Sequence, residues 1–99
     1  MAGRKIVWSH FASIKLFRVL DFYTDRNKST SYSEKIYKQF LQDLSLLDKH
    51  PEMGIKTNHE NIRGLIVGNF ILFYEVTSDK IIVHTLWDSR QNPDDLILK

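Results

Sequence analysis

Glu75 and His84 are placed to share a proton. They fall in neighbouring strand patterns, 70–76 and 81–87, and a hairpin register counted outward from Ser78-Asp79 sets His84 opposite Phe73 and diagonal to Glu75. A carboxylate at that separation can orient an imidazole, which is half of a general acid/base pair. No nucleophile or cationic cluster accompanies the pair, so a surface or partner contact outweighs catalysis as the role of His84. The remaining histidines, His10, His50 and His59, read as surface or cap residues, and none shows the His-Glu-x-x-His spacing of a metal site. No metal is expected. No Ser-His-Asp set, phosphate loop or dinucleotide fingerprint occurs, and no cofactor is expected either.

Two arginines also carry potential chemistry. Arg90 lies in the polar run Asp88-Ser89-Arg90-Gln91-Asn92-Pro93, just past the last strand pattern, where a loop guanidinium can reach a phosphate or a partner's carboxylate. A solvated loop charge is the equally simple reading. Arg63 is expected opposite Tyr74, where stacking on the ring at the rim of the core is favoured over a binding role.

The elements that position these residues are legible from periodicity. Residues 4–8 (RKIVW) are β-prone, and Ser9 follows as an N-cap that can accept from the free amides of a helix's first turn. Phe11, Ile14, Leu16, Phe17, Leu20 and Tyr23 then recur at spacings of three or four, predicting an amphipathic helix to about Asp25. After a polar link, Ser31-Tyr32-Ser33-Glu34 has the capping-box form and opens a second helix. Ile36, Tyr37, Phe40, Leu41, Leu44 and Leu47 make its apolar stripe, and His50-Pro51 ends it. Trp8, Phe11, Phe17 and Phe40 read as core. Residues 51–61 form an irregular loop, and three strand patterns follow at 62–67, 70–76 and 81–87, parted by Gly68-Asn69 and Ser78-Asp79. The expected fold is α+β, in the order βααβββ, with an antiparallel sheet and the N-terminal helix hairpin packed on one face.

Register assigns the faces. Counting from Gly68-Asn69 pairs Val67 with Phe70, Leu65 with Leu72 and Arg63 with Tyr74; counting from the next turn pairs Val76 with Ile81, Tyr74 with Val83, Leu72 with Thr85 and Phe70 with Trp87. The face bearing Leu65, Val67, Phe70, Leu72, Tyr74, Val76, Ile81, Val83 and Trp87 is the one expected under the helices. The other carries Ile66, Ile71, Phe73, Glu75, Ile82, His84 and Leu86. It is too apolar for a solvated sheet face, and such a patch usually marks a docking site for a partner. Cover by the C-terminal Leu96-Ile97-Leu98 is the plainer alternative.

The 99 residues, 42% of them hydrophobic, suffice for one core, so residues 1–99 are read as a single domain. A net charge of +2 spread along the chain does not announce a nucleic-acid binder. The absence of cysteine removes disulfides, thiolate catalysis and thiolate metal sites, and suits a reducing compartment. No run approaches the roughly 20 apolar residues of a membrane span, so no membrane partner and a cytoplasmic location are expected.

Taken in order, His50-Pro51-Glu52-Met53-Gly54 after the second helix, the arginine-led hairpin from Ile62-Arg63-Gly64 to Tyr74-Glu75-Val76, and Trp87-Asp88-Ser89-Arg90-Gln91-Asn92-Pro93 make the chain resemble the RelE/ParE superfamily of toxins from type II toxin–antitoxin pairs, over nearly its whole length. The resemblance implies a toxin silenced by a cognate antitoxin, touching DNA only through that antitoxin. RelE-like members cut messenger RNA on the ribosome with basic residues on the sheet; ParE-like members block DNA gyrase. Where the nuclease branch carries its strand arginine, this chain has about Ile71, and where it carries its C-terminal tyrosine, about Leu96. Only Arg90 matches a phosphate contact. An apolar face offers no charge-assisted donors to a scissile phosphate, so the likeness is closer to the ParE-like, plasmid-stabilisation branch, and enzymatic activity is the less favoured expectation. On that reading Ile66, Ile71, Phe73, Glu75, Ile82, His84 and Leu86 bind antitoxin while Arg90 and Trp87 touch the target. The alternatives are a ribosome-dependent endoribonuclease using Arg90, His84, Arg63 and Lys56, with ribosome and messenger RNA as partners, and a non-toxic binding module of the same fold.

Overall fold

Ser9 performs the capping expected of it. Its Oγ accepts the amide of Ala12 at 3.0 Å and opens helix α1 (His10–Asn27) directly after strand β1 (Lys5–Trp8). Lys28 ends α1 in a left-handed conformation, φ 51°. Helix α2 (Ser31–Leu46) returns alongside, followed by the two-residue strand β2 (Ile55–Lys56) and the meander β3 (Arg63–Val67), β4 (Phe70–Val76) and β5 (Lys80–Asp88). This computed structural model describes residues 3–89; Arg90, Leu96, Ile97 and Leu98 lie outside the described residues.

The α+β layering is as expected, with three local differences. The sheet order is β1-β5-β4-β3-β2, and β1 runs parallel to β5, so the sheet is mixed rather than wholly antiparallel. Arg4 helps hold β1 in that slot. Its Nε donates to Thr77 O at 2.8 Å and its Nη1 to Asp48 O at 2.8 Å, beside an ion pair to Asp48 Oδ1 at 3.5 Å. Second, residues 55–56 of the expected loop form the edge strand β2 against Gly64 and Arg63. Third, the capping box at Ser31 does not form. Thr30 takes the N-cap position without a side-chain cap, its hydroxyl donating to Glu34 Oε1 at 3.2 Å, while Ser31 N donates to Ser29 Oγ.

The helix hairpin buries a different stripe of α1 from the one its large residues suggested. Ala12, Leu16 and Tyr23 are buried and Val19 and Leu20 pack beside them, whereas Phe11, Ile14 and Phe17 face solvent. The small Ala12 lets the helix approach the sheet closely, and the 3.6-residue period then selects positions 12, 16, 19 and 23. From α2 come Ile36, Phe40, Leu44 and Leu47, with Ser33 buried at the hairpin crossing, where its hydroxyl bonds Thr24 Oγ1 at 2.6 Å and donates to Leu20 O at 2.8 Å. Phe40 and Phe70 meet edge to face at 5.4 Å, and Trp8 packs against the same cluster.

Candidate functional site

The β3–β4 hairpin has the register counted from its turn, Val67 with Phe70, Leu65 with Leu72 and Arg63 with Tyr74. Gly68 supplies φ 60° at the first turn position, as a two-residue loop between twisted strands requires. The next hairpin begins as expected, pairing Val76 with Ile81 and Tyr74 with Val83, and then slips: Thr85 pairs with Phe73, Leu86 with Leu72, Trp87 with Ile71 and Asp88 with Phe70. His84 is the extra residue of a β-bulge. The irregularity reverses the remainder of β5, so Leu86 enters the helix-side core and Trp87 moves to the opposite face beside Ile71. Both residues were expected on the other sides. The expected pairs Leu72 with Thr85 and Phe70 with Trp87 do not occur.

The bulge is held from the far end of the chain. Ser9 N donates to Val83 O at 2.9 Å, and the Ser9 hydroxyl donates to His84 O at 2.9 Å, while its lone pairs cap α1. One serine thus occupies the carbonyl freed by the bulge and an orphan amide of the helix. With both His84 and Thr85 presented to the face away from the helices, His84 Nε2 comes within 2.9 Å of Glu75 Oε1, each side chain being about one third exposed. This is the contact expected from the diagonal placement.

The resulting face is apolar around one polar pair. Ile66 is 56% exposed, with Ile71 and Ile82 half-buried and Val7 of β1 beside Ile82. Phe73 and Trp87 are buried and do not belong to the helix-side cluster. Phe73 sits over Gly64, where a Cβ would come within 3.3 Å of its ring and within 3.0 Å of Ile71. Thr85 is buried opposite Phe73, and its Oγ1 has no hydrogen-bond partner among the described residues. Lys5 and Lys80 are register partners at the outer corner of the face; its middle, among the described residues, has neither lysine nor arginine.

The other expected residues are elsewhere. Arg63 lies on the helix side at the sheet's edge, with Lys56 as its register partner on β2. Its guanidinium donates to Gly54 O at 3.1 Å and to Glu52 O at 3.4 Å, tying down the turn after α2 rather than lying free for a ligand. From the buried side, Tyr74 completes the hold on that turn: its hydroxyl accepts from Gly54 N and donates to Pro51 O, both at 2.9 Å. Burial raises the Tyr74 pKa above the ordinary phenol value. His84, Arg63 and Lys56 are therefore not brought together, since His84 is on one sheet face and the two cations border the other. Arg90 falls outside the described residues, and no group of three metal-binding side chains occurs among those described.

Residues 6–93 match the family described as the ParE toxin of the type II toxin–antitoxin system parDE. The chain belongs to the ParE toxin family. Its fold is similar to that of a solved structure titled the chromosomal ParDE TA system from P. aeruginosa, with a TM-score of 0.68 and 15% sequence identity, covering 84% of this chain and 92% of that one. No curated protein matches it. The family assignment agrees with the closer of the two branches named from sequence. No described helix of this ParE-family chain is long and apolar enough to cross a membrane.

The bulge was invisible to sequence reasoning because both halves of β5 keep a two-residue alternation, and nothing local marks the slip between them. From the sequence Ser9 reads as a helix cap alone. The one available signal was that Leu86 and Trp87 are both large and apolar, so either could occupy the core.

Proposed function

We propose that this ParE-family toxin acts by binding protein, with DNA gyrase as target, and that a cognate antitoxin neutralises it by covering the sheet face around Ile66, Ile71, Ile82 and the Glu75–His84 pair. The observation that carries this reading is the chemistry of that face. Its one titratable pair is closed on itself at 2.9 Å, its centre is aliphatic and aromatic, and the nearest arginine on the helix side is bound to main-chain carbonyls. A scissile phosphate needs several converging cationic donors to offset its desolvation, whereas an apolar sheet face with an exposed isoleucine suits a partner's side chains. Contact with DNA arises only through the antitoxin.

The test is the purified chain added to gyrase with relaxed plasmid. Loss of supercoiling, reversed by the antitoxin, is the expected result. No effect on gyrase, combined with messenger cleavage in a translating extract that disappears in His84→Ala and Arg90→Ala, would transfer the chain to the nuclease reading. Harmless expression with intact antitoxin binding would leave a binding module.

A further inference from the structure

Glu75 and His84 meet at 2.9 Å on the sheet face away from the helices, each side chain about one third exposed. Their surroundings are apolar. Ile82 is the register partner of Glu75, Val7 of β1 pairs with Ile82, and Phe73 and Thr85 are buried beside the couple. Few charged groups face it. β5 contributes Lys80, on the second diagonal of Glu75, and β1 contributes Lys5, the register partner of Lys80; neither makes an ion pair with Glu75. From β3, Gly64 and Ile66 share the face and carry no charge, while Arg63 is bound on the helix side to the carbonyls of Gly54 and Glu52. His10, next to Ser9 in the chain, is exposed at the start of α1. The Nδ1 of His84 makes no hydrogen bond among the described residues.

The net charge of this couple depends on one proton. With a neutral imidazole donating through Nε2, the couple carries the full charge of the carboxylate; with a protonated imidazole the two charges cancel. On an open face water solvates either state. Under an apolar cover the first state strands a net charge away from water, whereas the second leaves a compact neutral pair, and the difference in desolvation favours the protonated form. We propose that the antitoxin segment covering Ile66, Ile71 and Ile82 closes over the Glu75–His84 pair with a proton taken up on the imidazole, so that falling pH tightens the complex. This rests on the reading of that face as the antitoxin's. The protonated ring has an Nδ1–H to place as well, and since no described group accepts it, the covering segment supplies the acceptor, a main-chain carbonyl or a side-chain oxygen. By linkage, the complex gains as pH falls because it binds the extra proton, by at most about tenfold in affinity per pH unit for one proton. Histidine is the side chain that brings such a change between pH 5 and pH 8.

Titration calorimetry of the full chain against the cognate antitoxin between pH 6 and pH 8, in two buffers of different ionisation enthalpy, counts the protons exchanged. Uptake of about half a proton or more and binding about tenfold tighter at pH 6 than at pH 8 are expected. His84→Gln keeps a donor for Glu75 and should abolish the uptake. Glu75→Gln makes the neutral ring the uncharged state, so binding should release a proton instead and weaken as pH falls. His10→Gln should leave the uptake as it is, and circular dichroism verifies that each variant is folded. Binding that Ile66→Lys weakens but that takes up no proton overturns the proposal and leaves the face with the antitoxin. Binding indifferent to Ile66→Lys, or no binding at all, overturns both readings. Uptake that survives His84→Gln overturns the proposal too, because the proton then goes to another group.

Discussion

The hydroxyl of Tyr74 accepts the amide of Gly54 at 2.9 Å while the Gly54 backbone rests on the edge of its ring. A Cβ at position 54 would stand 2.6 Å from that hydroxyl oxygen and 2.9 Å from Gly64 O, so both the side chain and the strand behind it oppose any larger residue. The Pro51–Gly54 turn, part of the motif that makes the chain resemble its family, is therefore a packing requirement of the Tyr74 ring.

Gly54→Ala is expected to destabilise the chain by about 2–4 kcal/mol, through overpacking and loss of the amide bond together. Urea unfolding monitored by tryptophan fluorescence measures it. A change below half a kcal/mol would mean that the ring can move aside freely.

Tyr74 also sets an alkaline limit. Its pKa is raised first by burial, so the folded state holds the phenol neutral where the unfolded chain, titrating near 10, releases its proton. With the folded value above the unfolded one, this contribution is fully present below about pH 10 and is lost as pH rises through the folded value. Deprotonation also removes the donor to Pro51 O. Tyr74→Phe should flatten the alkaline fall in stability and lower stability at neutral pH by about 1–3 kcal/mol for the unpaired carbonyl and amide; unfolding curves from pH 7 to pH 11 compare the two chains.

Ser9→Ala removes a helix cap and the donor to the bulge carbonyl at once. A loss of about 1–3 kcal/mol is expected, accompanied by faster amide exchange at the start of α1 and around Val83 to Thr85. Faster exchange confined to α1 would show that the bulge does not depend on Ser9.

Thr85 carries a buried hydroxyl that no described group satisfies. Thr85→Val keeps the shape and removes the unpaired oxygen, so the midpoint of thermal unfolding should rise, by roughly 1 kcal/mol in stability. A clear fall would reveal a partner for that hydroxyl.

Ile66 is the most exposed large residue of the proposed antitoxin face. Ile66→Lys should leave stability within about half a kcal/mol and weaken antitoxin binding by at least about tenfold, the scale of one interface anchor; titration calorimetry reads the binding. Unchanged binding would remove this part of the face from the interface.

The sequence by itself determined the helix hairpin, the β3–β4 register and the apolar character of the face beyond it, because each depends on neighbours within a few residues: a cap, a period, a glycine at a turn. It also carried the family, through short motifs whose order survives even when their individual roles are obscure. Tertiary structure alone decided the rest. β1 beside β5, the bulge at His84, the exchange of Leu86 and Trp87 between faces and the outward turn of Phe11 and Phe17 all depend on groups far apart in the chain, above all Ser9 bonding a carbonyl 75 residues away. A one-residue slip costs no local propensity, since alternation continues on both sides, and so only the packing of Leu86 against the core and the bonds from Ser9 select it.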